Sequence, residues 1–230
     1  DSMLDMAHRL GINDLRDRKS YGLAIGLGAG EISLLDHTYG FSVIANDGVM
    51  AGVPVPPQRR EPGYRELDPV CILQVTDGQG RVVEEFAGPA YRQVVTPQVA
   101  YQMQSVLSDN DARAPAFGTH NVLVLDRPVA AKTGTTNDYT DALTMGFSPQ
   151  FAVGVWVGNS DRRSMAGVWG VTGAAPLWRE LMVKVHESRA PVSFVEPPGI
   201  KWVEVDAETG ALPGPGSKNR MRDVFVEGWE

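Results

Sequence analysis

Residues 132–137 read Lys132-Thr133-Gly134-Thr135-Thr136-Asn137, and they lie between the apolar run Pro128-Val129-Ala130-Ala131 and a second strand-like run from Asp141 to Pro149. A lysine, small hydroxyl residues and a glycine at strand positions make a surface suited to holding a carboxylate beside an extended backbone. The ammonium attracts the anion, the threonine hydroxyls hydrogen-bond it, and Gly134 has no Cβ to obstruct a chain laid along the strand edge. Such a surface would take a peptide by strand addition with an anion anchor. The same letters also suit a plain turn between two strands, so the flanking sequence has to decide.

Downstream, Ala142 to Phe147 and Phe151 to Gly158 have strand composition and are joined at Ser148-Pro149-Gln150. With Val129 to Thr135 they predict a three-stranded antiparallel sheet with Lys132 to Thr135 exposed along one edge. Gly173-Ala174-Ala175-Pro176 then opens a helix to about His186, with Leu177, Leu181 and Val185 at helical spacing, placed to cover the sheet. Trp156, Trp169 and Trp178 fit packing better than a saccharide platform. Asp138 and Asp141 either orient the lysine strand or complete the turn. From Ala190 the texture turns to proline and glycine around one apolar run, Trp202 to Val205, so residues 190–230 are expected to form an extended appendage to a domain spanning 1–189.

Upstream, Thr96-Pro97 marks a helix start, with Val99, Met103, Val106 and Leu107 on its expected inner face. Val70 to Val75 and Arg81 to Phe86 flank a turn-rich joint and predict a hairpin in which Cys71, the single cysteine, is a buried strand residue. Val49 to Pro69 is rich in proline, glycine and charge and is expected to be an exposed excursion. A helix from about Glu31 to Asn46 should present Leu35, Tyr39 and Val43 inward. Gly26, Gly28 and Gly30 do not complete a dinucleotide or phosphate-loop fingerprint. The chain begins at Asp1 within a helical pattern, carrying Met3, Met6, Ala7 and Leu10 on one face and stopping at Gly11, so further sequence upstream is expected.

Composition narrows the function. At 230 residues, 43% hydrophobic and 21% charged, the chain suits one globular domain and a small appendage. A net charge of −7 with both signs interspersed argues against a nucleic-acid partner, and no window approaches a membrane span. His8, His37, His120 and His186 are scattered without ligand spacing, as for ordinary surface or helix histidines, and neither a metal nor another cofactor is implied.

Several separated stretches together resemble one family. Lys132 to Asp138, Asp141-Ala142-Leu143, Gly146 to Pro149, Val155 to Asn159 and Gly173 to Trp178 fall in the order seen in class A, bifunctional penicillin-binding proteins, in the C-terminal part of the transpeptidase domain. Leu27 to Ile32, Phe41 to Gly48, Phe194 to Ile200 and Val205 to Gly210 extend the resemblance over nearly the whole chain, with Val49 to Pro69 outside it. The resemblance implies an α+β fold of the serine β-lactamase and penicillin-binding transpeptidase type, incomplete at the N-terminus. It implies acyl transfer through the signature Ser-x-x-Lys, Ser-x-Asn and Lys-Thr-Gly, with D-Ala-D-Ala stem peptides and β-lactams as ligands. Lys132, Thr133, Gly134 and Thr135 would bind the substrate. Lys132 and Thr135 would also take part in catalysis, Thr135 through its backbone N–H.

No serine here has a lysine three positions on, so the nucleophile is not in this chain. Ser108-Asp109-Asn110 spells the second motif but stands too close to Lys132 for the family order, and reads as a chance match at a helix end. The implied partners are the rest of the domain and a glycosyltransferase domain upstream, and the implied location is the outer face of a bacterial cytoplasmic membrane, anchored from outside this chain. Two alternatives stay open: a silent module binding peptidoglycan stems or a partner, and a D,D-carboxypeptidase or β-lactamase-like hydrolase of the same superfamily.

Overall fold

The computed structural model describes residues 2–229. Helix α1 (Ser2–Leu10) ends at Gly11, which takes a φ of +107°. Gly11 N–H reaches His8 O at 3.0 Å and Ile12 N–H reaches Ala7 O at 2.9 Å, the pair of bonds that closes a helix C-terminus around a glycine. Leu4 and His8 face inward, while Met3 and Met6, expected on the inner face, are exposed. Helix α2 (Leu34–Ala45) begins later than its apolar pattern suggests because Ser33 caps it, accepting the Asp36 N–H at 3.2 Å. Tyr39 and Val43 are buried as expected, but Leu35 is exposed and Asp36 takes the inner position.

The segment expected to be an exposed excursion, Val49 to Pro69, is exposed from Pro56 to Gly63 as expected but carries short strands toward its two ends. Strands β1 (Val49–Pro54) and β2 (Leu67–Asp68) pair antiparallel, Met50 and Leu67 enter a core with Tyr39 and Val43, and Val55, just after β1, is buried too. Proline at Pro54, the last residue of β1, costs the sheet little, which is why the composition misleads. The predicted hairpin forms from β3 (Gln74–Thr76) and β4 (Val82–Glu85), but no residue of either strand is buried. Cys71 precedes β3 and is exposed, contrary to its expected burial. Strand β5 (Ala90–Gln93) then returns to pair with β1, giving the order β2-β1-β5.

Helix α3 (Pro97–Ser108) starts as predicted, with Thr96 accepting the Val99 N–H at 3.4 Å and Pro97 at the first helical position. Its buried residues are Ala100 and Gln104, and Met103 and Val106 are exposed. The buried Gln104 amide has its donor half satisfied, giving one hydrogen bond to Ile44 O at 2.8 Å and one to Asp47 Oδ1 at 3.1 Å, while its Oε1 is buried without a partner. Asp109 caps the short helix α4 (Asn110–Phe117) by accepting the Ala112 N–H at 2.9 Å.

The predicted sheet follows: β6 (Ala130–Thr135), β7 (Asp141–Phe147) and β8 (Ala152–Gly158), antiparallel in the order β6-β7-β8. Helix α5 (Ala174–His186) covers one face, with Ala174, Ala175, Trp178, Met182 and His186 buried. Leu177 and Leu181 lie on its exposed side, opposite to expectation. Close approach explains the offset. A Cβ on Gly146 would lie 2.4 Å from Trp178 Cζ2, so small residues and one flat indole meet the sheet where branched chains do not fit. Helix α2 lies on the other face, where a Cβ on Gly154 would meet Thr38 Oγ1 at 2.2 Å.

The C-terminal appendage is a hairpin rather than an extended tail. β9 (Ile200–Asp206) and β10 (Arg220–Val226) pair over seven residues each. It docks on α3 through Gln98, which donates to Pro198 O at 2.7 Å, and Gln102, which donates to Val224 O at 3.0 Å.

Candidate functional site

Strand β6 is the edge of its sheet, and the hydrogen-bond ladder determines which of its backbone groups face outward. Thr136 N–H donates to Asp141 O at 3.1 Å, so residues 136 and 141 form a hydrogen-bonded pair. The register continues from Thr135 opposite Ala142 to Ala130 opposite Phe147. Hydrogen-bonded and non-bonded pairs alternate in an antiparallel ladder, which turns the backbone of Lys132 and Gly134 toward β7 and that of Ala131, Thr133 and Thr135 toward the free edge. Two side chains mark that edge. Arg113 of α4 donates to Ala131 O at 3.3 Å, and Lys132 Nζ donates to Thr133 O at 2.6 Å.

These contacts divide the edge. Its first part is closed by Arg113, whose guanidinium also reaches Leu107 O and whose pKa is pushed down by burial. From Lys132 onward it is accessible: Lys132 is exposed, and Thr133, Gly134 and Thr135 are half-buried. Side chains alternate across the sheet, so Lys132 leaves from the α2 face while Thr133 and Thr135 leave from the α5 face. The long lysine stem removes the conflict, because its Nζ curls around the edge to a carbonyl on the outward side. All four predicted residues thus lie on one strand, with the ammonium beside two outward-facing backbone positions.

The far end of the strand is fixed by contacts that sequence reasoning missed. The segment between β8 and α5 lays Gly170 flat on the Gly134 and Leu143 rung, where a Cβ would stand 2.5 Å from Gly134 O and 2.7 Å from Leu143 O. Gly170 N–H donates to Thr135 Oγ1 at 2.9 Å, and Thr144 Oγ1 donates to Gly170 O at 3.3 Å. Gly170 is 35 residues from Thr135 in the chain, and no local pattern announces the pairing. The turn after β6 is closed by Thr136 Oγ1, which accepts the N–H groups of Thr140 at 3.1 Å and Asp141 at 2.9 Å. Asp141 in turn accepts the Trp156 indole N–H at 2.8 Å and the Thr140 hydroxyl at 2.8 Å. The Trp156 bond, with those from Thr140 and Thr136 and the charge of Arg162, outweighs burial and holds the Asp141 carboxyl below its ordinary pKa. Asp141 therefore ties the turn to β8, and Trp156, expected in packing, is partly exposed in that role.

Other serine-containing groups are structural. Ser108 donates to Ser105 O at 3.2 Å within its own helix, Asp109 is a helix cap, and Asn110 bonds Thr119 O and Asn121, so Ser108-Asp109-Asn110 forms the α3 to α4 junction. Ser148 and His186 form a buried pair at 2.8 Å. The serine oxygen accepts the N–H groups of Gln150 and Phe151, so its proton goes to His186 Nε2 while Nδ1 donates to Met182 O at 2.7 Å. A hydroxyl held this way and out of solvent pins a turn and is no nucleophile. His8 is likewise buried, bonded to Leu15 O at 2.8 Å and stacked on Tyr64.

No protein-family model matches the chain. Penicillin-binding protein 1A of Aquifex aeolicus is 30% identical over 232 residues, covering 99% of this chain and 28% of that protein. Penicillin-binding protein 2D of Bacillus subtilis is 30% identical over 173 residues, 73% of this chain and 25% of that protein. The chain thus spans about a quarter of the length of these relatives. The crystal structure of penicillin-binding protein 1A from Haemophilus influenzae superposes with a TM-score of 0.74 at 20% identity, over 96% of this chain and 36% of that one. In sequence and in fold, the chain is a relative of the class A penicillin-binding proteins and corresponds to the C-terminal part of their transpeptidase domain.

Proposed function

We propose that Lys132 to Thr135 is the docking edge for the D-Ala-D-Ala end of a peptidoglycan stem in a serine-type D,D-transpeptidase. One observation carries this reading: the outward N–H and C=O of Thr133 and Thr135 lie on an accessible edge beside the Lys132 ammonium. The ammonium and the threonine hydroxyls would take the terminal carboxylate. Thr135 Oγ1 keeps its own proton for that purpose, because toward Gly170 it acts as acceptor. The serine that attacks the penultimate carbonyl would come from sequence preceding Asp1. Its tetrahedral oxyanion would rest on the serine's own N–H and that of Thr135, each such donor contributing on the order of 3 kcal/mol. The peptide C–N bond then breaks and D-alanine leaves with a proton. The amine of a second stem takes the acyl group, restoring the serine hydroxyl, whereas water in its place makes the same site a carboxypeptidase. A β-lactam, entering by the same carboxylate, would stop at the acyl-enzyme.

The absence of Ser-x-x-Lys among these 230 residues supports a second reading, in which this chain alone binds stems without turning them over. The relatives' greater length favours the first, in a protein that also carries a glycosyltransferase domain and works at the outer face of the membrane. No described helix is long and apolar enough to cross a membrane, so this reading places the anchor outside the chain.

Mass spectrometry after exposure to a labelled penicillin tests the assignment. The isolated chain is expected to carry no covalent adduct. In the complete protein the label should sit upstream of Asp1, and Lys132→Ala should slow acylation roughly ten- to hundredfold, the equivalent of a charge-assisted bond of about 1.5–3 kcal/mol. An adduct on any serine of the isolated chain, or an unchanged rate in Lys132→Ala, removes the strand from the site.

A further inference from the structure

The docking edge stops abruptly at Lys132, and the group that stops it is a cation. Val129, Ala130 and Ala131 are buried, whereas Lys132 is exposed and Thr133, Gly134 and Thr135 are half-buried. Arg113 of α4 stands at this boundary, donating to Ala131 O at 3.3 Å and to Leu107 O. The helix that carries it is tied down at both ends. Asp109 caps its first turn, Asn110 donates to Thr119 O at 2.9 Å and accepts from Asn121 at 2.8 Å, and Gly118 N–H closes its last turn on Ala114 O at 2.8 Å. Among the described residues no carboxylate forms an ion pair with Arg113: its hydrogen bonds go to carbonyl oxygens, and Asp109 acts on it only through its field. A half-buried guanidinium so placed carries a positive charge that neither water nor a partner fully compensates.

We propose that Arg113 is a specificity-determining residue of the docking edge: it closes the edge beyond Lys132 and lends its charge to the bound carboxylate, so that the site takes peptides with a free C-terminus and refuses those that continue or end in an amide. The inference rests on the docking reading above. Ala131 O and Thr133 O both point to the free edge, two residues apart on one strand, and so lie roughly 6.6 Å from each other. The Arg113 guanidinium sits on the first and the Lys132 ammonium on the second. With the edge empty these two cations repel each other, and an anion docked beside them relieves the repulsion. Near a protein surface that attraction is several times stronger than in bulk water, and a neutral amide gains none of it. A peptide continuing past Lys132 would have to pair with the outward C=O of Ala131, which Arg113 already occupies.

The test is turnover, by the complete protein, of a peptide ending in D-Ala-D-Ala, of its C-terminal amide, and of the same peptide lengthened by one glycine. Mass spectrometry reads the release of D-alanine, D-alanine amide or D-alanyl-glycine. The unaltered protein should cleave the free acid with a kcat/KM about a hundredfold above either of the others. Arg113→Gln keeps N–H donors for the two carbonyls and removes the charge, so it should lower kcat/KM for the free acid about tenfold and leave that for the amide within about twofold. Arg113→Lys keeps the charge and should hold the ratio of acid to amide within about threefold of its original value. Arg113→Ala removes the plug as well and should raise turnover of the lengthened peptide about fivefold. The amide is an internal control, because damage to the fold lowers both rates together. An equal fall for acid and amide in Arg113→Gln makes Arg113 merely structural and overturns the proposal, as does an unchanged ratio. A lengthened peptide that gains nothing in Arg113→Ala overturns the closure. No turnover of the free acid by the unaltered protein, or an unchanged rate in Lys132→Ala, is instead a failure of the docking edge and takes this inference with it.

Discussion

Strand β7 and strand β4 are both antiparallel, both carry apolar side chains, and both lie beside a turn pinned by an aspartate, yet one is nearly all interior and the other all surface. In β7, Ala142, Thr144, Met145, Gly146 and Phe147 are buried, because β6 and β8 flank it and α5 and α2 cover its faces. In β4, Val82 and Val83 remain 53% and 67% exposed, because β3 is its single partner and neither face is covered. Apolar strand composition marks a strand. Whether it is buried depends on what the rest of the chain places across from it, and that information is not local.

The strongest way to break the comparison is to cut the cover on one side of it. Trp178 is fully buried against Gly146 in the core that also holds Ala131, Ala142 and Val155. Trp178→Ala should cost about 3–5 kcal/mol in chemical denaturation, the usual penalty for emptying a large aromatic site. The matched change on the hairpin, Val83→Ala, should stay within about 0.5 kcal/mol. Equal losses would mean that the hairpin is covered in solution.

How far the sequence could be read follows the same division. The edge strand, its two neighbours, the Thr96 cap and the hairpin turn were legible because each is set by residues within a few positions of one another. The inner faces of α3 and α5 were misplaced onto Val106, Leu177 and Leu181, since apolar content was taken as the guide. The actual faces use Ala100, Gln104, Ala174 and Trp178, chosen by how closely the backbone approaches. The candidate site was legible as a strand, Lys132 to Thr135, and its supports were not. Gly170 reaches Thr135 across 35 positions, and the role of Asp141 appears only once Trp156 is seen beside it. Val49 to Pro69 was legible only in its middle, for a different reason: Pro56 to Gly63 is exposed as expected, but the proline-rich composition hid the strands toward the two ends, where Pro54 closes an otherwise regular β1.

A second contrast is electrostatic and smaller. Asp77 pins the β3 to β4 turn and Asp141 the β6 to β7 turn, and both carboxyls are held below their ordinary pKa. For Asp77 the largest cause is the backbone N–H of Arg81, and for Asp141 it is the Trp156 indole. A carboxyl whose pKa is lower in the folded state stabilises fully above its unfolded value, about pH 4, and that contribution fades as the pH falls through the lowered one. Both turns should therefore loosen only below about pH 4, by a fraction of a kcal/mol at most for Asp141 after solvent screening. The consequences should differ in place. Amide exchange should rise at Thr136 to Tyr139 and along the end of β6 in one case, and only at the hairpin tip in the other. Asp141→Asn should remove the acid step at β6 and leave that at the hairpin. An acid step at β6 that persists in the variant would show that another group holds the turn.

The smallest expected effect on stability gives the sharpest reading of the exposed half. Cys71 lies just before β3 in Val70-Cys71-Ile72-Leu73, a run whose composition predicts burial, but its side chain is exposed, as are Ile72 at 64% and Leu73 at 67%. A buried thiol reacts only when the protein opens, so its modification rate is limited by an opening equilibrium that often lies several powers of ten toward the closed form. An exposed thiol needs no opening. A thiol reagent in native buffer should therefore modify one equivalent per chain at a rate within a few-fold of that in denaturant. The modified chain should unfold at the same denaturant concentration, because no packed contact is lost. The same result is expected for the Val83→Ala variant, whereas Trp178→Ala, which acts on the other core, should leave the rate unchanged while lowering stability. Slow modification that accelerates only with denaturant would place Cys71 inside a covered surface and reverse the assignment of the hairpin to solvent.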